Sequence, residues 1–179
     1  MPNMQNPSRL WADWTTTDFQ ALARDRAIAV LPVAATEQHG PHLPLSVDTD
    51  LVNGVVQACW PHLPADLPAL FLPTQTVGLS PEHARFAGTL TLKAETVIRL
   101  WTDIGESVAA SGLKKLVLLN AHGGQVRPAG LHHAVDQIGV HRQGQVRPML
   151  LGSGHRQDSD GPVLCQSLKI GGGPVGPKT

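Results

Sequence analysis

Four side chains of the kinds that bind divalent cations stand near the ends of two apolar stretches of this chain. Glu37 and His39 follow the first stretch, and Asp48 comes nine residues after His39. His122 follows the second stretch, far downstream. Short aliphatic stretches that end in turn residues are typical of buried strands, and ligands of open α/β sheets bind beyond the carboxyl ends of the strands. Because carboxylate and imidazole groups together suit zinc or manganese, the pattern predicts a divalent-metal site at one edge of a sheet.

Each of the four residues also has an ordinary structural interpretation. An aspartate near the start of a helix, as predicted for Asp48, interacts favourably with the helix N-terminus without any metal. A histidine at a glycine-rich turn, as His122 is, often donates a hydrogen bond to a backbone carbonyl. Glu37 and His39 are two positions apart and would share one side of an extended chain. Taken together, with both ligand types present, the four favour one shared site in which Asp48 bridges two ions.

A second polar loop, Ser80-Pro81-Glu82-His83, offers candidate catalytic groups. Glu82 or His83 would serve there as an acid–base group or as a contact to substrate, and an exposed turn is the ordinary alternative. Metal ions bound by the upstream residues would acidify a water molecule and polarise a carbonyl group, and that chemistry suits cleavage of the C–N bond of an amide. Phosphoester cleavage is a weaker alternative, because no arginine cluster lies near the motifs.

Apolar runs and helical periodicity alternate along the first three quarters of the chain. Between Val97 and Val108 the apolar residues recur every three to four positions, as in a helix with one buried face, and Gly112 is typical of the position after a helix. Strands that alternate with helices predict an α/β fold, with a mainly parallel sheet and helices on both faces. The predicted strands are residues 27–33, 70–74 and 116–120. A first predicted helix ends at Arg24, and three further helices are predicted at residues 48–60, 94–111 and 127–138.

Composition and charge exclude several classes of protein. The chain has 179 residues, with 14 Lys+Arg against 14 Asp+Glu, so it lacks the basic surplus that indicates a nucleic-acid partner. No stretch approaches the ~18 apolar residues of a membrane span, and residues 1–10 lack the apolar segment of a signal peptide. Cys59 and Cys165 show no zinc-ligand spacing and are typical of thiols in a reducing cytoplasm. We therefore expect a cytoplasmic protein with no nucleic-acid partner and no membrane partner.

The character of the chain changes after Ile138. Residues 138–179 contain nine glycines and four prolines among 42 residues, in the range where disorder becomes common. Within this segment, residues 146–151 could form one more strand. We therefore divide the chain into a catalytic core at residues 1–138 and an atypical Gly/Pro-rich tail at residues 139–179.

Three sequence blocks resemble the signatures of the creatininase (creatinine amidohydrolase) family. They are LPVAATEQHGPHLPL followed by DTD at residues 31–50, GLSPEH with FAGT at residues 78–89, and NAHGGQ at residues 120–125. The resemblance covers about residues 11–138, and the first block is the most specific. It implies a three-layer αβα sandwich with a mainly parallel sheet, a centre of two divalent ions (zinc, manganese or iron) and a homohexamer. It also implies hydrolysis of C–N bonds in amides or cyclic amides, with a small-molecule amide as substrate.

The resemblance also assigns the ligands by position. Glu37, Asp48 and His122 would hold one ion, while His39 and Asp48 would hold the other. Creatininase itself takes a further glutamate two residues after the histidine that corresponds to His122, and this chain has Gly124 there. Members with the His-Gly-Gly form instead draw a glutamate from a C-terminal block similar to His-Ala-Gly-Glu, which the Gly/Pro-rich tail does not contain. Two interpretations follow: an active amidohydrolase, or a catalytically impaired metal-binding remnant that acts only as an assembly subunit.

Overall fold

Three parallel strands occupy the centre of the computed structural model, which describes residues 8–126. The strands are β1 (Ile28–Val33), β2 (Ala69–Phe71) and β3 (Leu116–Asn120), and they lie in the order β2-β1-β3. β1 pairs in parallel with both neighbours, and all six of its residues are buried. A strand that is covered on both faces reads as a continuous aliphatic run, which is why the sequence of β1 shows no alternation.

Helices cover the two faces of this sheet. Successive residues of a strand point to opposite faces, so the even and odd positions of β1 enter different cores. Val30 packs on one face in a core that includes the buried apolar side chains of α2 (Val47–Cys59). Leu31 packs on the other face in a core that includes the buried apolar side chains of α3 (Ala94–Ala110). The predicted αβα sandwich with a parallel sheet is therefore confirmed in the part of the chain that the structure describes.

The first helix ends earlier than the sequence predicts. α1 (Thr16–Ala21) stops three residues before Arg24, because Leu22 adopts an extended backbone conformation. The N-terminus of α1 is capped by a threonine side chain, as the sequence predicts. The side chain of Thr15 caps the helix, and Asp18 completes a reciprocal capping box with the backbone of Thr15.

The other described elements lie close to their predicted positions. β2 ends at Phe71 and is shorter than the predicted strand at 70–74, which contains Pro73, a residue without an N–H group to donate to a sheet. α2 and α3 agree with the prediction to within one residue at each end. Gly112 follows α3 with a φ of +89°, a conformation that glycine adopts without strain.

Several predicted segments lie outside the described residues. They are the helix at 127–138, the strand at 146–151 and the Gly/Pro-rich tail at 139–179. Among the helices within residues 8–126, none combines the length and the apolar character needed to cross a membrane.

Candidate metal centre

The carboxyl ends of two neighbouring strands bring the four candidate ligands together. β1 and β3 are hydrogen-bonded and parallel, so the chain leaves both strands at the same edge of the sheet. The loop after β1 carries Glu37 and His39, Asp48 lies in the first turn of α2, and His122 lies in the turn after β3. Glu37, Asp48 and His122 are buried, with exposed fractions of 3%, 7% and 4%. Two buried carboxylates at one place need compensating positive charge.

Asp48 stands between the two imidazoles. Its Oδ1 lies 3.1 Å from Nε2 of His39, and its Oδ2 lies 3.0 Å from Nδ1 of His122. Oε1 of Glu37 is 3.2 Å from Nδ1 of His122 and 3.9 Å from Nε2 of His39. Donor atoms of Glu37, His39 and Asp48 all lie within 4.8 Å of one another, close enough to share an ion. Since Asp48 offers a different oxygen to each imidazole, it has the arrangement that a carboxylate bridging two ions requires.

His39 is oriented by its own loop. Its Nδ1 lies 3.1 Å from the backbone carbonyl oxygen of Glu37. A carbonyl oxygen can only accept a hydrogen bond, so we assign the proton of the neutral ring to Nδ1. Nε2, which faces Asp48, then carries the lone pair. Histidine ligands of metals commonly have this arrangement, in which the second ring nitrogen donates to a carbonyl or a carboxylate.

His122 is oriented in the same way by a different loop. Its Nε2 lies 2.9 Å from the backbone carbonyl oxygen of Leu79, so the proton of the neutral ring is assigned to Nε2. Nδ1 then directs its lone pair toward Glu37 and Asp48. Two imidazoles from different loops therefore present unprotonated nitrogens to the same pair of carboxylates.

The pKa of His122 reflects this environment. Burial alone lowers the pKa, but interactions with Asp48, the Leu79 carbonyl and the charge of Glu37 outweigh burial and raise the pKa above the ordinary value of 6.5. Oδ2 of Asp48 accepts no well-formed hydrogen bond despite its 3.0 Å separation from Nδ1. The raised pKa therefore follows from the close approach of the Asp48 carboxylate first, then from the Leu79 carbonyl and the charge of Glu37.

The donor set fits a divalent metal. A lone pair aimed at a carboxylate oxygen is repelled unless a proton or a metal ion lies between the two atoms. The buried Oδ2 of Asp48, which accepts no hydrogen bond within the described residues, would be satisfied by such a cation. Among these residues, the ion pairs of Glu37 and Asp48 involve histidines alone. Carboxylate oxygens and neutral imidazole nitrogens are ligands that zinc and manganese accept.

Ser80 was not among the predicted site residues. This residue is fully buried, and its hydroxyl donates a hydrogen bond to Oε2 of Glu37. Nδ1 of His83 lies 2.8 Å from the same oxygen. His83, predicted as a catalytic group, therefore contacts a candidate ligand directly. The Ser80-Pro81-Glu82-His83 block was visible in the sequence, but nothing in it indicated which of its side chains would reach Glu37.

Glu82, the other predicted catalytic group, is exposed and lies beside Gly124. A Cβ atom at Gly124 would stand 2.6 Å from Oε1 of Glu82, 2.5 Å from Nε2 of His122 and 2.9 Å from the carbonyl oxygen of Leu79. These groups fill the space that a side chain at position 124 would need. The closeness of Glu82 to His122 places its carboxylate at the rim of the candidate site.

Two amide side chains hold the turn after β3. Oδ1 of Asn120 accepts a hydrogen bond from the backbone N–H of His122, and its Nδ2 donates to the carbonyl of His122. Gln125 is buried and donates to the carbonyl oxygen of Ala34, 2.7 Å away, so the turn is tied to the chain just after β1. Both residues belong to the NAHGGQ block, in which only the histidine was predicted to be a metal ligand.

The sequence matches one family model and several curated proteins. The family model for creatininase, described as creatinine amidohydrolase, matches residues 12–164. A mycofactocin precursor peptide peptidase from Mycobacterium tuberculosis is 43% identical over 103 residues, or 54% of this chain and 41% of that protein. A creatinine amidohydrolase from Pseudomonas putida is 30% identical over 114 residues, or 61% of this chain and 42% of that protein. The chain thus spans less than half the length of these curated relatives.

Solved creatininase structures share the fold. One, described as "Creatininase Mn", has a TM-score of 0.61 and 28% identity, and the match covers 73% of this chain and 52% of that chain. A mutant creatininase of "Zn-Zn type" has a TM-score of 0.64 and 26% identity, with 74% of this chain and 52% of that chain covered. The family model matches well over half of the sequence, and the described fold agrees with these structures. This chain belongs to the creatininase family.

Proposed function

We propose that residues 1–138 form the catalytic core of a metal-dependent amidohydrolase that cleaves the C–N bond of an amide or a cyclic amide. The observation that carries this proposal is that one ring nitrogen of His39 and one of His122 lie within 3.2 Å of the buried carboxylates of Asp48 and Glu37, while the other nitrogen of each ring contacts a backbone carbonyl. Glu37, Asp48 and His122 would hold one divalent ion, while His39 and Asp48 would hold the other. Zinc, manganese or iron suits these donors.

The chain's own residues prepare the site for this chemistry. Two bound ions would supply an acidified water molecule and would polarise the carbonyl group of the substrate. The backbone carbonyls of Glu37 and Leu79 hold one nitrogen of His39 and of His122, so that the other nitrogen of each ring faces the carboxylates where the ions would be held.

Glu82 and His83 are the catalytic groups that we propose outside the ligand set. In the neutral ring of His83 that donates from Nδ1–H to Glu37, Nε2 carries the lone pair and would accept a proton from water and return it to the leaving nitrogen. The side chain of His83 is 33% exposed, so substrate can reach it. Glu82, whose carboxylate lies beside Gly124, would accept a hydrogen bond from an N–H group of the substrate.

The named relatives suggest what kind of amide to test. One is described by a peptide substrate and the other by creatinine, a small cyclic amide. We propose that this chain acts on a small-molecule or peptide amide, and that a hexamer is its working assembly, as the resemblance implies. The cytoplasmic location stays a prediction from the sequence.

Hydrolysis assays on metal-loaded protein test the proposal. We expect zinc- or manganese-loaded protein to hydrolyse creatinine or a peptide amide, and a chelator to abolish that activity. Asp48→Asn should reduce the rate by about 100-fold or more, because it removes a charged bridging ligand. Asp50→Asn is the matched control, since Asp50 lies in the same helical turn but is exposed and accepts from Ser46. Activity that survives both the chelator and Asp48→Asn would contradict the proposal.

The alternative function, a metal-binding remnant that acts only as an assembly subunit, gains no support from the described residues or from the relatives. It differs from the proposal in one measurable way, because it requires metal binding without turnover. The same assays, run on protein with a measured metal content, separate the two.

A further inference from the structure

We propose that Ser80 is a positioning residue of the candidate metal centre. Its hydroxyl, together with the imidazole of His83, holds Oε2 of Glu37 and leaves Oε1 as the oxygen available to a cation. This inference rests on the proposed function, because it takes Glu37 to be a metal ligand. It adds an assignment that neither the spacing of residues nor the family resemblance supplied.

The two oxygens of Glu37 have different partners. Oε1 faces the imidazoles, at 3.2 Å from Nδ1 of His122 and 3.9 Å from Nε2 of His39. Oε2 points away from them and is contacted by Ser80 and His83. Hydrogen bonds to an ionised carboxylate are strong, and two on one oxygen fix the rotation of the carboxylate plane. Glu37 therefore has one oxygen committed to the protein and one free for an ion.

Ser80 itself is held firmly. Its side chain is completely buried, and its backbone N–H donates to Oγ1 of Thr91 at 2.8 Å. Two residues earlier, the carbonyl of Gly78 accepts from the backbone N–H of Leu92 at 2.9 Å. Because the backbone of Ser80 is held by these hydrogen bonds and its hydroxyl is buried, the hydroxyl has a fixed position from which it can orient the carboxylate of Glu37.

The same short segment orients a second candidate ligand. The carbonyl of Leu79 accepts from Nε2 of His122, and the next residue, Ser80, donates to Glu37. Glu37 follows β1 and His122 follows β3, so the segment at 79–83 sets the relative positions of ligands that leave two different strands. Loss of the Ser80 hydroxyl should therefore weaken metal binding without disturbing the sheet.

Cobalt binding tests this inference, because Co²⁺ reports both affinity and coordination through its visible absorption. Chelator-treated wild-type protein and Ser80→Ala are titrated with Co²⁺ alone. We expect the affinity of Ser80→Ala to fall by about 10- to 100-fold, the usual effect of losing a group that orients a metal ligand. We also expect its cobalt spectrum to change, because Oε2 of Glu37 would then be held by His83 alone and the carboxylate could rotate at the ion.

Ser107→Ala is the matched control. Ser107 is exposed on α3 and donates to the carbonyl of Asp103, so its removal makes the same chemical change away from the site. This variant should bind cobalt with wild-type affinity and with the wild-type spectrum.

A second variant keeps the inference testable if Ser80→Ala fails to fold. His83→Ala removes the other donor to Oε2 at a partly exposed position, and it should also lower cobalt affinity and alter the spectrum. In the double variant the two losses should be less than additive, because both act on one oxygen.

The outcomes separate the inference from the function on which it rests. If wild-type protein binds no cobalt, Glu37 is not a metal ligand and the proposed function fails. If wild-type protein binds cobalt and both variants match it in affinity and spectrum, the role of Ser80 is wrong while the proposed function stands.

Discussion

A histidine that binds a metal through one ring nitrogen can be oriented through the other. In this protein the orienting groups are backbone carbonyls, those of Glu37 for His39 and of Leu79 for His122. When each carbonyl accepts a hydrogen bond from the ring N–H, the other ring nitrogen faces carboxylate oxygens. A cation between that nitrogen and the oxygens makes the contact favourable. At His122 of the metal-free protein a proton can be that cation, because the nearby carboxylates and the Leu79 carbonyl raise the pKa of His122 above its ordinary value.

The raised pKa of His122 predicts a pH dependence of stability in metal-free protein. Because the folded-state pKa lies above the ordinary value of 6.5, protonated His122 stabilises the fold fully below that pH. This contribution is lost as the pH rises through the folded-state pKa. The difference in melting temperature between wild type and His122→Asn, measured in chelator, should therefore shrink as the pH rises above 6.5.

His62→Asn is the control for that series, since it removes an exposed histidine outside the site. It should not reproduce the trend. A wild-type minus His122→Asn difference that stays constant, or grows, from about pH 6 to about pH 9 would show that the carboxylates do not stabilise a proton on His122.

The residue types predicted the four candidate ligands, but the sequence did not predict the hydrogen bonds that orient those ligands. Glu37, His39, Asp48 and His122 could be proposed because carboxylate and imidazole are recognisable metal donors at the ends of aliphatic runs. The contacts of Ser80 with Glu37 and of Leu79 with His122 each join residues 43 positions apart. A backbone carbonyl such as that of Leu79 is present at every residue, so only the folded geometry shows that it matters.

At the scale of elements, the turn after β3 contains two glycines with different surroundings. Gly123 and Gly124 are adjacent, and the local sequence pattern predicts a turn at both. In the structure a Cβ at Gly123 meets nothing within 4 Å, whereas one at Gly124 would lie 2.9 Å from the carbonyl oxygen of Leu79. That carbonyl also accepts the hydrogen bond that orients His122.

The two glycines therefore form a matched pair of test positions. Gly124→Ala should lower the free energy of unfolding by about 1–3 kcal/mol, because the added methyl group forces apart closely packed groups. It should also weaken metal binding by displacing His122. Gly123→Ala should change the free energy of unfolding by less than about 0.5 kcal/mol. Denaturant unfolding of metal-free protein and a metal titration measure both effects, and equal behaviour of the two variants would contradict the close contact at Gly124.

The elements themselves were largely predictable because they follow simple periods. β1 and β3 are short aliphatic runs, and α3 has one apolar face with Val97 and Trp101 buried. α1 and β2 were predicted too long, since the backbone of Leu22 and the position of Pro73 depend on how the chain enters the next element. Local pattern predicts that an element exists more reliably than it predicts where the element ends.

At the scale of the whole molecule, the fold places two buried carboxylates and two imidazoles at one edge of a parallel sheet. β1 and β3 are neighbours in that sheet, so loops far apart in sequence meet where the strands end. The two neighbouring carboxylates lower the free energy of unfolding when no cation is bound, and metal binding should raise it again. The candidate site is thus a consequence of the topology, and the segment at 79–83 adds the precise orientation.

Metal stoichiometry tests the central claim most directly. We expect protein purified without chelator to contain about two divalent ions per chain by elemental analysis, or chelator-treated protein to take up about two on titration with Zn²⁺ or Mn²⁺. His122→Ala should lose at least one ion while it keeps its secondary structure. Wild-type protein that neither contains nor takes up metal, or a metal content unchanged in His122→Ala, would contradict the account.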